Sequence, residues 1–192
     1  MRDCVEHAIS ADLVAGHCAG AVAKTVAVYG REIFGFVTAA LGEPRIGREA
    51  YARFVASLGD ELPRFAWRCR LRTFAYHVAC RELRRMRERL GSALVTISVE
   101  TERAWRAPLR RSLLAVVGLV RRRLGPEDRE FLVLHFDRGF DWREIALTFL
   151  GEHATERELA AKSDELHHRL RVLRMQIEQL TGRASWRSDR MA

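Results

Sequence analysis

The sequence predicts an all-α protein, made of two small helical domains joined by a linker. Apolar residues recur mostly at intervals of three, four or seven, which is the period of an amphipathic helix and not of a strand. The 192 residues include only 4 prolines, and the 13 glycines are scattered singly. With 48% hydrophobic and 30% charged residues, the composition is that of a folded protein and not of a disordered chain.

The first predicted domain covers residues 1–90 and contains three helices. The first helix is predicted over about 11–41, because Gly42-Glu43-Pro44 ends its apolar stripe. The second is predicted over about 47–62, before Pro63. The third opens at residue 64 or 71 and continues to 89, where Gly91 closes it.

A linker is predicted over residues 91–108, followed by a second domain over 109–180 and a polar tail over 181–192. The second domain opens with an amphipathic helix over 109–124, and Pro126 suits the first position of the next. Asp141 to Glu144 and Thr155 to Glu158 have capping-box spacing, so helices are expected over 141–150 and 155–180.

Positive charge is concentrated in the middle third of the chain. The net charge is +8, yet residues 1–63 and 126–192 are each net −2. Residues 64–89 carry 9 arginines and 2 glutamates, and residues 90–125 add 7 arginines and 2 glutamates. Such a patch is typical of a partner rich in phosphate. A solvated arginine-rich helix is the simpler alternative.

Several functional classes are not expected. No signal peptide and no apolar run of about 18 residues is visible, so we expect a cytoplasmic protein with reduced cysteines and no membrane partner. Cys4, His7, His17 and Cys18 match no common zinc spacing, so no metal and no cofactor are expected. No catalytic motif occurs, which argues against an enzyme.

Two constellations point to nucleic acid. Between Leu62 and Arg87, arginines alternate with aromatic residues. Arginine can pair with backbone phosphates, and an aromatic ring can stack on an unpaired base. The second is a helix-turn-helix in which helix 141–150 would support the following helix in the major groove. A generic helical hairpin is the alternative for the second, and Phe74 can equally be a core residue.

These segments, in this order, resemble the extracytoplasmic-function (ECF) group of the sigma-70 family of transcription initiation factors. Leu62-Pro63-Arg64-Phe65, Arg72 to Ala79 and Arg84-Arg85 resemble the part of region 2 that binds the -10 element. Tyr29 to Phe36 resembles the start of region 2, and residues 124–150 resemble region 4. The likeness covers about residues 20–90 and 109–180.

The resemblance implies core RNA polymerase and promoter DNA as partners, with an anti-sigma protein as a further candidate. Residues implied at the -10 element are Arg70, Arg72, Phe74, Tyr76, His77, Arg81, Arg84 and Arg85. Residues implied at the -35 element are Lys162, Ser163, His167, His168, Arg169, Arg171 and Arg174. Residues implied at the polymerase are Tyr29, Glu32, Phe36, Glu49 and Arg53.

The chain departs from the family pattern in two places. Where the family has an acidic polymerase-binding signature, this chain has Arg45-Ile46-Gly47-Arg48-Glu49, in which only the glutamate survives. The turn after Gly151 is longer than in the family. Two alternative functions stay open. One is a helix-turn-helix regulator that acts without polymerase, and the other is a sigma-like adaptor that binds a regulatory protein.

Overall fold

The structure, a computed structural model, describes residues 2–91, which we call the first segment, and residues 124–181, which we call the second segment. Side chains are described over 5–91, 124–125 and 127–175. These residues form helices and no strand, so the all-α prediction is confirmed for them. The α-helices are α1 (Arg2–Val14), α2 (Cys18–Leu41), α3 (Pro44–Glu61), α4 (Leu71–Leu90), α5 (Pro126–Leu132), α6 (Trp142–Leu150) and α7 (Glu156–Thr181). Most of the predicted linker, the predicted helix over 109–124 up to residue 123, and the tail after Thr181 lie outside the described residues.

The predicted helix over 11–41 is two helices, and its predicted start was wrong. Gly16 has a φ of +77°, a left-handed conformation that favours glycine. The amides of Gly16 and His17 donate to Leu13 and Asp12, which closes α1 before α2 begins at Cys18. Within α2, the buried Thr25 hydroxyl is satisfied because it donates to the Ala21 carbonyl one turn earlier, at 2.8 Å.

The other helices of the first segment begin where proline and an extended backbone place them. Pro44 occupies the first turn of α3, one turn earlier than predicted, since proline needs no amide partner there. A short 3-10 helix, Leu62–Arg64, follows α3. The chain then runs as a non-helical segment to Arg70, so α4 opens at Leu71, the later of the two predicted starts.

The helix boundaries of the second segment follow its caps. The Asp141 side chain accepts from the Glu144 amide at 2.7 Å, while the Glu144 side chain accepts from the Asp141 amide at 3.1 Å. Thr155 and Glu158 make the same reciprocal pair ahead of α7, at 3.3 Å and 2.8 Å. Both predicted capping boxes are therefore confirmed. Helix α5 ends in a π-helical turn, Val133–Asp137.

One buried cluster includes side chains from both described segments. Tyr76 of α4 is fully buried, with its ring 5.1 Å from Phe36 of α2 and 4.9 Å from Phe140, just before α6. Leu166 and Leu170 of α7 belong to the same cluster. Because α4 contacts α2, α3 and α6, it is the central helix of the fold. The division into two domains stays a prediction.

Candidate nucleic-acid interface

The two aromatic residues predicted at the -10 element lie in the interior. Phe74 is 6% exposed and Tyr76 is 0% exposed. The Phe74 ring stacks on Phe65 at 4.3 Å, and Tyr76 packs between Phe36 and Phe140. In this arrangement neither ring can stack on a base. Phe65 covers the Phe74 ring, and Phe140 covers the side of α4 on which Tyr76 lies.

Arg72 is also engaged by the protein itself. Its guanidinium donates to Glu32 at 2.8 Å and to the Arg138 carbonyl at 3.1 Å, and it lies 4.4 Å over the Phe140 ring. Its side chain is 19% exposed. Although burial opposes the charge, these partners leave the pKa of Arg72 raised, so it stays a cation. Arg72 therefore joins the two described segments.

His77 lies against the turn that follows α6. Its Nδ1–H donates to the Thr148 carbonyl at 2.9 Å, and a Cβ added to Gly151 would lie 3.2 Å from its ring. Burial lowers the pKa of His77, with the nearby Arg84 contributing in the same direction. The imidazole is therefore neutral at neutral pH, and it is covered.

The remaining arginines of the predicted -10 set differ in their exposure. Arg81 pairs with Glu61, and Arg85 donates to Glu82 at 2.5 Å. Arg84 is exposed and forms no ion pair with another described residue. The Arg70 side chain is 81% exposed and lies 3.8 Å from Glu144. Arg70 and Arg84 are thus the two cations of this set that solvent reaches most freely.

Residues 64–70, which we call the approach segment, expose an aromatic ring and basic side chains, whereas the aromatic rings of α4 are buried. Trp67 is 38% exposed, and its ring lies 4.7 Å from Phe65, which in turn stacks on Phe74. Arg64, Arg68 and Arg70 are exposed around it. Trp67, Arg64 and Arg68 were not among the predicted site residues, although the alternation of arginine and aromatic residues begins there.

A carboxylate from the second segment holds the approach segment. Trp67 has a φ of +59°, which is rare for a residue other than glycine. The amides on either side of it, those of Ala66 and Arg68, donate to the two oxygens of Glu152 at 2.9 Å and 3.2 Å. These two hydrogen bonds give the approach segment a defined shape. Burial, together with Glu152, also raises the pKa of the Cys69 thiol to about 12.

The residues predicted at the polymerase fall into two groups. Tyr29 and Phe36 are buried in α2, and the Tyr29 hydroxyl donates to Glu6 at 3.0 Å. Glu32 is occupied by Arg72. Glu49 and Arg53 lie on the surface of α3 and pair with each other at 3.3 Å. Only this second pair is placed on an open surface.

Most of the side chains predicted at the -35 element have partners within the protein. Lys162 pairs with Glu165 at 2.8 Å, and His167 packs on Trp142 at 3.9 Å. Arg169 pairs with Asp128 and Glu127 of α5. The Ser163 hydroxyl donates to the Leu159 carbonyl at 2.8 Å and Arg174 is half-buried, whereas His168 and Arg171 are exposed.

The first turns of α7 are acidic, although the predicted helix-turn-helix would place these turns in a major groove. Residues 156–165 include 4 acidic and 2 basic side chains. The acidic residues, all exposed, are Glu156, Glu158, Asp164 and Glu165. Phosphates would repel these carboxylates, so the start of α7 is electrostatically less suited to a nucleic-acid partner than the approach segment is.

Searches of protein-family models, of curated proteins and of solved structures each found no match to this chain. Over residues 2–91 and 124–181, no three His, Cys, Asp or Glu side chains come together in a way that could hold a metal ion. Within the same ranges, no helix is both long and apolar enough to cross a membrane.

Proposed function

We propose that the chain is a transcription initiation factor of the ECF sigma type. It would bring core RNA polymerase to a promoter and hold a melted strand of the -10 element. The observation that carries this proposal is the approach segment, where Trp67 is exposed and its ring packs against Phe65 among Arg64, Arg68 and Arg70. A tryptophan fixed beside arginines suits a flipped base between phosphates.

The order of the sequence motifs adds to this support. The approach segment and α4 coincide with the stretch that resembles the -10-binding part of region 2. Helices α5 and α6 coincide with the stretch that resembles region 4. In this proposal the two segments act as two domains, with Glu49 and Arg53 available to the polymerase on the surface of α3.

The proposal requires the second segment to move away from α4. Tyr76, His77 and Arg72 reach DNA only when Phe140, Thr148 and the Arg138 carbonyl leave them. Binding to polymerase would supply the free energy for this separation, since a partner that binds only the open form shifts the equilibrium toward it. The approach segment is accessible before the separation.

The acidic start of α7 favours one second candidate, the sigma-like adaptor. Arg169 is already paired with Asp128 and Glu127, so this helix offers few free cations to duplex DNA. An adaptor would use the helix to bind a basic protein surface instead. It predicts that R169A and R171A leave promoter output unchanged, whereas the sigma factor predicts that R171A lowers it.

The decisive experiment is gel filtration of the purified chain with core RNA polymerase, followed by run-off transcription from promoters of the source genome. Co-elution together with promoter-specific transcripts is the expected result. A folded chain that does not bind core polymerase would refute the sigma proposal. It would leave the adaptor, or a regulator that acts without polymerase.

A matched pair of aromatic truncations tests the approach segment itself. W67A should weaken binding of the holoenzyme to a promoter with a melted -10 strand by about 5- to 150-fold, the usual loss for one base-stacking aromatic. Phe136, which is 61% exposed at the end of the π-helical turn, supplies the control. F136A should bind like the wild type. Equal affinities for all three proteins would contradict the proposed role of Trp67.

A further inference from the structure

Glu152 is a buried carboxylate whose two hydrogen-bond donors lie in the approach segment. It lies in the turn between α6 and α7 and is 9% exposed. Its Oε1 accepts from the Ala66 amide at 2.9 Å, and its Oε2 accepts from the Arg68 amide at 3.2 Å. The residues it joins are more than 80 positions apart in the chain. No feature of the local sequence requires a carboxylate at this place.

The donors of this contact are arranged as an anion-binding site. With Trp67 in the left-handed region, the amides before and after it point to one side, which is the geometry of a backbone nest. The exposed Arg64, Arg68 and Arg70 add positive charge around it. A phosphodiester presents two non-bridging oxygens at a spacing close to that of a carboxylate, and it carries the same single charge.

We propose that the amides of Ala66 and Arg68 form a phosphate site for a nucleic-acid strand, and that Glu152 occupies this site as an internal substitute for the phosphate. The strand and the second segment then compete for the same two amides. This inference rests on the proposed function, because the strand is the one whose base would stack on Trp67.

This competition couples DNA binding to the release of the second segment from α4. The turn that carries Glu152 is held against α4 through Gly151, which packs on the His77 ring, and through the Thr148 carbonyl, which accepts from His77. A phosphate that displaces Glu152 removes one of the contacts holding this turn. Strand capture at the approach segment therefore favours exposure of the face of α4 that includes His77.

The test uses the full chain and two variants that each remove one negative charge. E152Q keeps the shape of the side chain but replaces the competing anion by a neutral amide. D164N removes an exposed charge on α7 and is the matched control. The probe is a fluorescein-labelled single-stranded DNA of about 12 nucleotides, followed by anisotropy. We expect E152Q to bind about tenfold more tightly than wild type, and D164N no more than about twofold.

A second measurement tests the anion site without DNA. Each protein is melted in inorganic phosphate and in chloride at equal ionic strength. Phosphate should raise the melting temperature of E152Q and leave those of wild type and D164N unchanged, because only in E152Q is the site occupied by a neutral group that an anion displaces readily. If E152Q does not fold, NMR of the wild type replaces both measurements. The Ala66 and Arg68 amide resonances should then shift when the oligonucleotide is added.

The outcomes separate the inference from the function on which it rests. Equal affinities of E152Q and D164N, with no effect of phosphate, overturn the phosphate site even where all three proteins bind the strand. Stabilisation of E152Q by phosphate, with no protein binding the strand, supports the site but refutes a nucleic acid as its ligand and the proposed function with it. In the wild-type experiment, unmoved amides at saturating oligonucleotide overturn the inference.

Discussion

Replacing Gly151 by alanine should destabilise the protein by about 2–4 kcal/mol. Gly151 has a φ of +92° and a ψ of 170°, a conformation that is nearly restricted to glycine and costs other residues about 1–3 kcal/mol. The new methyl group would also lie 3.2 Å from two atoms of the His77 ring. That ring cannot turn freely because its Nδ1–H donates to Thr148, so the contact adds about 1 kcal/mol or more.

The assay is urea denaturation followed by circular dichroism, with the free energy of unfolding taken from midpoint and slope. Gly59 of α3 is the control, because a Cβ there meets no atom within 4 Å and the residue has no positive φ. G59A should stabilise the protein by roughly 0.5–1 kcal/mol. Adding H77A to G151A separates the steric contact from the backbone strain, since only the contact disappears with the ring. A G151A protein within 0.5 kcal/mol of wild type would refute the reasoning.

Three further predictions concern buried groups. The Tyr76 hydroxyl is buried and has no hydrogen-bond partner in the part of the chain that the structure describes, so Y76F should leave the unfolding free energy unchanged or raise it by up to about 1 kcal/mol. Burial raises the pKa of Glu130 to about 7 despite Arg87 at 2.7 Å, so its contribution to stability is complete below about pH 4.5 and lost as the pH rises through 7. The difference in urea midpoint between wild type and E130Q, measured at pH 5, 6 and 7, should fall as the pH rises. The whole fall corresponds to at most roughly 3 kcal/mol of unfolding free energy, and a difference that stays constant with pH would contradict the raised pKa. Burial also raises the pKa of the Cys69 and Cys80 thiols, so both should react with a disulfide reagent at pH 7.5 far more slowly than in urea, and equal rates would show that the two sites are open.

The sequence predicted those parts of the fold that depend on neighbouring residues. Both capping boxes were visible because each joins residues three positions apart, as at Asp141 and Glu144. The break at Gly16 was missed because a single glycine is tolerated within a helix and the apolar stripe continues past it. Helix α4 shows the limit of periodicity most clearly. The helical period of its apolar residues predicts one buried face, yet Thr73 and Tyr76 are buried outside that face.

The candidate site was harder to predict, because long-range contacts decide which of its residues are accessible. Tyr76 is covered by Phe140, 64 positions away, and the amides of the approach segment are occupied by Glu152. Neither partner can be found from local spacing. An arginine-aromatic stretch therefore indicates a binding segment without indicating which rings face solvent. The structure selects Trp67, which the sequence analysis did not.

Under the proposed function, the position of the approach segment implies an order of events in binding a strand and opening the chain. A strand can reach Trp67 and the exposed arginines without any movement, whereas Tyr76 and Arg72 become available only after Phe140 withdraws. Withdrawal exposes buried apolar surface, which costs about 25 cal/mol for each Å². It also breaks the hydrogen bonds of Arg72 and His77 to the second segment. Under the proposed function, binding to polymerase supplies the free energy for this withdrawal. The free chain should therefore bind a strand weakly through Trp67, and only a chain held open by polymerase should use the rest of α4.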